Sequence, residues 1–147
     1  MKSGHKPWIF ALSALVLSPL LLASAPAKDP LLGKWQSQER GGVTAFERCG
    51  DAICGRVIDG DSLRANPDLR DVKNGNASLR SRKVKGMIVL HNFKGGPKQW
   101  KGGPLYDPER GMGVQSGTIT LVDQNTIKVT GCFGGFICQS EVMSRVR

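Results

Sequence analysis

The chain of 147 residues carries 21 lysines and arginines against 12 aspartates and glutamates, which gives a formal net charge of +9 at pH 7. This length suits one domain with one hydrophobic core and excludes a large multidomain protein. The excess of basic residues could favour polyanionic partners, but a soluble basic surface is the simpler interpretation.

The first 27 residues are predicted to form a secretory signal peptide. Two lysines precede an apolar run over residues 8–23 and the small-residue sequence Ala23-Ser24-Ala25-Pro26-Ala27. Basic, apolar and small segments in that order are typical of such a leader. The apolar run is shorter than the roughly 20 residues that span a bilayer, which disfavours an uncleaved anchor. We predict cleavage after Ala27, because cleavage after Ala25 would leave a proline at the new N-terminus.

Cleavage at this point predicts a single periplasmic or secreted domain of residues 28–147. Loss of two lysines and no acidic residue leaves 19 basic and 12 acidic side chains, a net charge of +7. Export makes nucleic acid an unsuitable partner, whereas lipopolysaccharide and acidic lipid headgroups stay open. Several basic residues cluster in one segment with aspartates between them: Arg64, Arg70, Lys73, Arg80, Arg82, Lys83 and Lys85.

Short β-favouring runs alternate with turn signals after residue 28, at intervals of about 10 to 15 residues. Strands are predicted near residues 33–40, 43–49, 53–59, 87–93, 99–102, 113–122, 126–132 and 136–146, with hairpin turns at Gly41-Gly42, Gln124-Asn125 and Gly134-Gly135. Eight short strands joined largely by hairpins predict an all-β, up-and-down antiparallel barrel, which leaves no exposed sheet edge. Such a barrel is either filled by side chains or holds one small ligand.

Residues 60–85 break the strand pattern. This segment contains Asn66-Pro67, Asn74-Gly75 and many charges, but few apolar side chains. A loop of this length in a compact domain is usually a lid or binding loop, or else disordered. We predict one long loop here, with a short helical turn around residues 77–82.

All four cysteines lie in the exported part of the chain, and an even count there predicts two disulfides. A turn of two or four residues sets Cys49 opposite Cys54. A strict two-residue turn at Gly134-Gly135 instead pairs Cys132 with Ile137, so a bridge to Cys138 needs a wider loop. We predict the two local pairs, with bridges between the two hairpins as the alternative.

Gly33-x-Trp35, at the start of the first predicted strand, resembles the pattern of the lipocalins and the wider calycin group. There the tryptophan closes one end of the barrel, and an arginine of the last strand lies across it. This sequence offers Arg145 near the end of its last predicted strand. The resemblance implies that Gly33, Trp35 and Arg145 are structural anchors of a lipocalin-like barrel.

A wider set of motifs resembles the bacterial secreted family known as domain of unknown function 2147. The motifs occur in order over most of the exported chain: Gly33-Lys34-Trp35, Cys49-Gly50-Asp51-Ala52-Ile53-Cys54-Gly55-Arg56-Val57, Asp71-Val72-Lys73-Asn74, Leu79-Arg80-Ser81-Arg82, Gly86-Met87, Trp100-Lys101-Gly102-Gly103, Leu105-Tyr106-Asp107-Pro108 and Gly131-Cys132. The resemblance implies a lipocalin-like barrel in the periplasm, leaves a homodimer open, and brings no settled activity.

The chain departs from that family pattern at two places. Met143 stands where the family usually has a tryptophan, and residues 109–114 lack the family's usual aromatic. If those aromatics contact a ligand or close the barrel, the pocket of this member is altered.

Asp71, Asn74, Arg80 and Arg82 form a polar set within the long loop. One hypothesis places them at the barrel mouth as ligand-binding residues, because arginine binds carboxylates and phosphates through two parallel hydrogen bonds. The other hypothesis, which we favour, is a loop-folding network in which Asp71 and Asn74 cap turns and pair with the arginines.

Trp100, Tyr106 and Asp107 border two Lys-Gly-Gly-Pro units, residues 94–97 and 101–104. Aromatic side chains beside glycine turns could line the opening of a ligand pocket, so these three are further candidate ligand-binding residues. The favoured interpretation is structural, with Trp100 covering the core and Tyr106-Asp107-Pro108 forming a turn.

No enzymatic motif is present. His91 is the one histidine after residue 27, which excludes a zinc site of two cysteines and two histidines. His91 could act as a general base, but no nucleophile or metal partner is identifiable beside it. Motifs such as Gly-x-Ser-x-Gly and His-Glu-x-x-His are absent. We therefore expect no catalytic residue, no metal and no cofactor.

Together these features predict an exported protein that holds a small amphipathic or apolar molecule inside a β-barrel. The alternative is a structural or interaction protein of the cell envelope. In that case the barrel is filled, and the basic loop contacts a protein or an anionic lipid.

Overall fold

The computed structural model describes Met1, Gly4 and residues 28–147. The predicted signal peptide therefore lies almost entirely outside the described residues. No helix in the described part of the chain is long and apolar enough to cross a bilayer.

The described chain consists almost entirely of β-strands. A short helix α1 (Asp61–Ala65) and a 3-10 turn (Ala77–Leu79) lie in the long loop. The strands are β1 (Gly33–Ser37), β2 (Val43–Cys49), β3 (Ala52–Asp59), β4 (Ile88–Gly95), β5 (Gln99–Gly102), β6 (Leu105–Asp107), β7 (Met112–Val114), β8 (Gly117–Asp123), β9 (Thr126–Phe133) and β10 (Ile137–Arg145).

The strands close into an eight-stranded antiparallel barrel, which confirms the predicted fold. Neighbours run in the order β3-β2-β1-β10-β9-β8-β5-β4, and the pairing of β3 with β4 completes the circle. The short strands β6 and β7 extend β5 and β8, since β6 also pairs with β4 and β7 pairs with β6. Because proline lacks a backbone N–H, Pro104 interrupts the ladder between β5 and β6.

The predicted strands match the observed ones except at the end of β1 and in this region. β1 ends at Ser37 instead of residue 40, and Gln36 pairs with Val43, so the β1–β2 turn is longer than the predicted Gly41-Gly42 turn. The segment Lys101-Gly102-Gly103-Pro104 resembles a turn, but it is a bend inside one barrel strand. The hairpin of β6 and β7, joined through Pro108 and Gly111, was not predicted because each strand has only three residues. The predicted strand at residues 113–122 is divided between β7 and β8.

One end of the barrel is closed by Trp35 and Arg145, which face each other in the β1–β10 pairing. Trp35 is fully buried, and its Nε1 donates to the Leu31 carbonyl at 2.8 Å. The Arg145 guanidinium lies 4.0 Å from the centroid of the tryptophan ring. Its nitrogens donate to three backbone carbonyls, those of Pro30, Leu32 and Gln124.

Gly33 makes room for this arrangement. Its φ is +126°, a conformation that side chains rarely adopt, and a Cβ there would lie 3.2 Å from Arg145 Nη1. The glycine, the tryptophan and the arginine thus form one structural unit, the closing cluster (Gly33, Trp35 and Arg145).

Both local disulfides are formed, Cys49–Cys54 and Cys132–Cys138. We expected Cys49 and Cys54 to lie directly opposite each other, but they do not. In the strand register Cys49 pairs with Ala52, and Cys54 pairs with Glu47. The second disulfide does join directly opposite residues, because a three-residue loop over 134–136 aligns Cys132 with Cys138. This is the wider loop that the sequence required.

The long loop is ordered by contacts with the barrel. Leu63 of α1 and Val84 are buried in the common core, and Arg70 and Lys83 form an isolated antiparallel bridge. The 3-10 turn falls within the predicted helical segment at residues 77–82. The structure therefore shows an ordered loop that packs on the barrel, not a disordered one.

Replacement of Arg145 tests the closing cluster. We expect Arg145→Lys to lower the free energy of unfolding by about 1–3 kcal/mol, because an ammonium group cannot replace the planar stack on Trp35 or the hydrogen-bond fork. Urea unfolding followed by tryptophan fluorescence measures the change. Arg147→Lys, at the exposed C-terminus, is the matched control. Equal unfolding midpoints for the two variants would contradict the role given to Arg145.

Candidate functional site

The barrel contains a cavity of about 1310 Å³ that opens at the end opposite the closing cluster. The opening, here called the mouth, is formed by the β1–β2 turn, the long loop, the β6–β7 turn and the β9–β10 hairpin. The inner wall is mostly apolar and includes Val43, Val57, Leu63, Leu69, Val84, Val89, Leu90, Leu105, Val114, Val129 and Met143.

Strand alternation explains how the wall is built. Every second residue of a strand faces the same side, so β9 directs Ile127, Val129, Gly131 and Phe133 inward. Ile127 is fully buried, whereas Phe133 at the mouth is largely exposed. Gly131 leaves room for Val114 of β7, because a Cβ there would lie 2.8 Å from Val114 Cγ2.

A cluster of charged side chains lies at the mouth. The Arg40 guanidinium reaches Asp107 at 2.6 Å, Glu141 at 3.1 Å and Glu109 at 3.5 Å. Ser37 Oγ also donates to Glu141. These contacts tie the β1–β2 turn to the β6–β7 hairpin and to β10. We call Arg40, Asp107, Glu109 and Glu141 the mouth cluster.

Arg40 carries an unused hydrogen-bond donor. Its Nε is buried and has no hydrogen-bond partner among the described residues. Burial lowers the pKa of Arg40, but the hydrogen bond to Asp107 and the surrounding carboxylates outweigh it and raise the pKa above its ordinary value. The guanidinium is therefore always charged, and its Nε–H stays buried without a partner among the described residues.

A second cluster fastens the long loop to the barrel, here called the loop network (Asp71, Asn74, Arg82 and Tyr106). Asp71 is fully buried. Tyr106 Oη donates to Asp71 Oδ1 at 2.6 Å, and Arg82 Nε donates to Oδ2 at 2.8 Å. Asn74 Nδ2 donates to Oδ2 at 2.8 Å and lies 3.0 Å from Tyr106 Oη. The Arg82 guanidinium also lies 5.4 Å from the tyrosine ring centroid.

The loop network sets the charge of its own members. Burial alone would raise the pKa of Asp71, but hydrogen bonds donated by Tyr106, Asn74 and Arg82 outweigh it and lower the pKa. Burial and the hydrogen bond to Asp71 raise the pKa of Tyr106. A buried carboxylate with so many donors is ionised at neutral pH and holds Tyr106 as a neutral donor.

The candidate ligand residues thus fall into three places. Asp71, Asn74 and Arg82 meet Tyr106 in the loop network, and Arg80 Nε donates to the Asn74 carbonyl at 2.7 Å. Asp107 belongs to the mouth cluster. Trp100 is fully buried near the closed end, with Nε1 3.4 Å from Asp29 Oδ2, and does not line the cavity. Of the seven candidates, only Tyr106 and Asp107 line the cavity.

Sequence reasoning missed Arg40 and Glu141. Glu141 lies on the same face of β10 as the buried Met143, two residues away, so strand alternation turns a carboxylate toward the barrel interior. That inward carboxylate was the available signal. Arg40 lies in a turn, and nothing in the sequence places it beside Glu141.

Asp71→Asn tests the loop network. We expect a loss of about 2–4 kcal/mol in the free energy of unfolding at pH 7, since the amide cannot accept from all the buried donors. Because the folded-state pKa of Asp71 is lowered, its contribution is complete above the unfolded value of about 3.9 and is lost as the pH falls through the folded value. The gap between wild type and variant should therefore close in acid.

Urea unfolding at a series of pH values from neutral to strongly acid measures this gap. Asp68→Asn is the control in the same loop, because Asp68 makes only an exposed ion pair with Lys83. A gap that stayed constant from pH 7 into acid, or equal losses in the two variants, would contradict the network.

Comparison with known proteins agrees with this architecture. The chain is similar in structure to the Helicobacter pylori protein HP1028, which belongs to the lipocalin family, with a TM-score of 0.69 and 21% identity over 80% of this chain and 83% of that chain. At that identity the likeness shows the fold alone. No curated protein matches the sequence. Residues 33–145 match the family described as "Uncharacterized protein conserved in bacteria (DUF2147)". The chain therefore belongs to the DUF2147 family and has a lipocalin-like fold.

Proposed function

We propose that this protein binds one small apolar or amphipathic molecule inside its barrel. The observation that carries the proposal is the cavity of about 1310 Å³, which is lined mainly by aliphatic side chains and open at one end. Ligand pockets usually measure about 300–1,000 Å³ and combine apolar walls with a few polar groups. A barrel of this kind has room for an elongated ligand with its apolar part near Val129 and Met143.

The mouth cluster indicates which polar group such a ligand carries. Three carboxylates, those of Asp107, Glu109 and Glu141, surround the Arg40 guanidinium. A carboxylate or phosphate headgroup would be repelled by them. We infer a neutral polar group, such as a hydroxyl, ester or carbonyl, at this position.

Met143 supports a wide cavity in this member of the family. It lines the cavity at the position where the family resemblance implies a tryptophan. Methionine is smaller and more flexible than tryptophan, so it leaves space and adapts to differently shaped ligands.

Export to the periplasm or beyond belongs to the same proposal. Two disulfides, with no free cysteine among the described residues, suit an oxidising compartment. The basic, apolar and small-residue order of residues 1–27 is the second support. Dimerisation stays a prediction.

The competing hypotheses have less support. A filled barrel is hard to reconcile with the cavity, and both Arg80 and Arg82 are engaged in holding their own loop. We also propose no catalytic role. His91 Nε2 lies 3.1 Å from the Ile88 carbonyl and is not among the residues that line the cavity.

A neutral fluorescent probe, 1-N-phenylnaphthylamine, tests ligand binding. Wild-type protein should bind it saturably, with enhanced emission in the apolar interior. The double variant Val114→Phe/Val129→Phe should bind at least about tenfold more weakly, because two added rings fill the middle of the cavity and crowd the ligand.

Val122→Phe, on the exposed side of β8, is the matched control and should bind like wild type. Near-ultraviolet circular dichroism establishes that the variants remain folded. Native mass spectrometry of protein secreted with its own leader provides a second measurement, since a bound molecule adds mass. The proposal would be contradicted if the probe did not bind saturably and the native mass equalled that of the protein alone.

A further inference from the structure

One side of the cavity wall carries polar side chains. They come from β2, β1 and β10, which are three neighbouring strands of the barrel. We call them the polar strip: Ser37, Thr44, Gln139 and Glu141. The apolar residues that these strands add to the lining lie at the two ends of the strip, Val43 and Ile137 near the mouth and Met143 near the floor.

The opposite side of the wall is apolar. In a ring of eight strands, the strand four places away lies across the barrel, so β8, β5 and β4 face β2, β1 and β10. Toward the mouth, β6 and β7 extend β5 and β8. Leu90 of β4 pairs with Leu105 of β6, Leu105 pairs with Val114 of β7, and all three line the cavity. We call Leu90, Leu105 and Val114 the apolar wall. The cavity therefore has one polar and one apolar side.

Two members of the polar strip are shut off from bulk solvent. Ser37 and Thr44 are 6% and 7% exposed. The other buried polar side chains in the described part of the chain are Asp71 and Asn74, and both are paired within the loop network. A polar group that is buried against hydrocarbon loses its hydrogen bonds to water, which is unfavourable. A ligand that fills the cavity therefore has to offer polar groups to this side.

Glu141 has capacity to accept further hydrogen bonds. Ser37 Oγ donates to its Oε1, and Arg40 Nη2 donates to its Oε2 at 3.1 Å. A carboxylate offers about four lone-pair positions and no donor. The ligand group that meets Glu141 must therefore donate. A hydroxyl does so, whereas an ester or ketone oxygen does not, and an ammonium group would lie beside the charge of Arg40.

Thr44 adds a second hydroxyl to the strip. It takes no part in the mouth cluster or the loop network. Its Cγ2 is directed at Gly55 of β3, since a Cβ at that glycine would lie 3.0 Å from it. The threonine hydroxyl is therefore turned away from β3. Because a hydroxyl both donates and accepts, it suits a hydroxyl on the ligand.

We propose that the ligand is facially amphipathic: a compact ring system with hydroxyl groups along one side and hydrocarbon along the other. The hydroxyls face the polar strip, and the hydrocarbon faces the apolar wall. This inference rests on the proposed function, because it names the class of ligand that the same cavity takes. It also narrows the neutral polar group of that ligand to a hydroxyl.

A single-chain amphiphile fits this wall less well. Its polar group lies at one end, so its methylene groups would cover Ser37, Thr44 and Glu141 and separate them from water without replacing their hydrogen bonds. A rigid ring skeleton instead presents hydroxyls at several depths. It also loses less conformational freedom on binding than a flexible chain does.

Three uncharged steroid esters test the proposal on the unaltered protein. Methyl cholate carries three hydroxyls on one face of its ring system, methyl lithocholate carries one hydroxyl, and methyl dehydrocholate carries three ketones in place of the hydroxyls. By isothermal titration calorimetry, we expect methyl cholate to bind about tenfold more tightly than either of the others, because only its hydroxyls supply several donors to the polar strip.

Hydrophobicity alone predicts a different order. Methyl lithocholate exposes more apolar surface than methyl cholate, so a uniformly apolar pocket would bind it more tightly. Equal or tighter binding of methyl lithocholate would therefore overturn the proposed polar face. Equal binding of methyl dehydrocholate would overturn the need for donors. Dodecane-1,2-diol is the chain control, and binding as tight as that of methyl cholate would overturn the ring system.

Two nearly isosteric substitutions test where the polar face lies. Thr44→Val removes a hydroxyl from the polar strip, so it should weaken methyl cholate about fivefold and leave methyl lithocholate nearly unchanged. Val114→Thr sets a hydroxyl against hydrocarbon on the apolar wall, so it should weaken both steroids to a similar extent. Thr120→Val, which alternates with the buried Ile119 on β8, is the matched control and should bind like wild type.

These variants also have a contradicting outcome. Equal effects of Thr44→Val and Thr120→Val on methyl cholate would overturn the assignment of the polar face to β2, β1 and β10. Near-ultraviolet circular dichroism establishes that each variant is folded, and the comparison of the steroids on wild-type protein needs no variant.

Failure of this inference is distinguishable from failure of the proposed function. Saturable binding of 1-N-phenylnaphthylamine without a preference for methyl cholate would overturn the facially amphipathic ligand and leave the proposed function standing. Absence of binding for the probe and for every steroid would contradict both.

Discussion

Arg145 stacks on Trp35 and at the same time donates to carbonyls of Pro30, Leu32 and Gln124. One side chain thus joins the beginning of the barrel, its last strand and the β8–β9 turn. Because β1 and β10 are neighbours in space but lie at opposite ends of the chain, this contact fixes the closure of the sheet. A barrel closed firmly at one end can keep an unfilled interior at the other.

The open end needs different support, since a cavity removes the contacts that normally stabilise a core. Two polar clusters replace them there. The mouth cluster connects the β1–β2 turn, the β6–β7 hairpin and β10 through Arg40. The loop network fastens the long loop to β6 through Asp71 and Tyr106. Both clusters act at the rim of the cavity, where side chains can bridge strands without occupying the space between them.

Much of the fold was predictable because it depends on local chemistry. Glycine pairs marked the positions of two hairpins, although both turns are longer than two residues, and alternating β-favouring runs marked strands. The closing cluster was predictable only through family resemblance, since nothing local connects Gly33 to Arg145. The two local disulfides were predicted correctly, although the diagonal register of Cys49 and Cys54 was not.

The site was less predictable because it depends on which loops meet. Asp71 and Asn74 were recognised as members of a polar set. Their common partner Tyr106 lies 35 residues after Asp71 and 32 residues after Asn74, so no local pattern connects them. Trp100 was a candidate pocket residue because it stands beside glycine turns, but the favoured interpretation placed it over the core, and its ring is fully buried there. Arg40 gained its importance only from the carboxylates that the barrel brings around it.

Gly131 has a consequence that reaches beyond this molecule. The packing of β7 against β9 near the mouth depends on the absence of one side chain on β9, because Val114 on β7 occupies the space that a Cβ at this position would need. A larger residue at 131 requires Val114 to shift or to be replaced by a smaller residue. The local spacing of the two strands is therefore a joint property of two positions, and we expect relatives with a larger residue at 131 to carry a smaller one at 114.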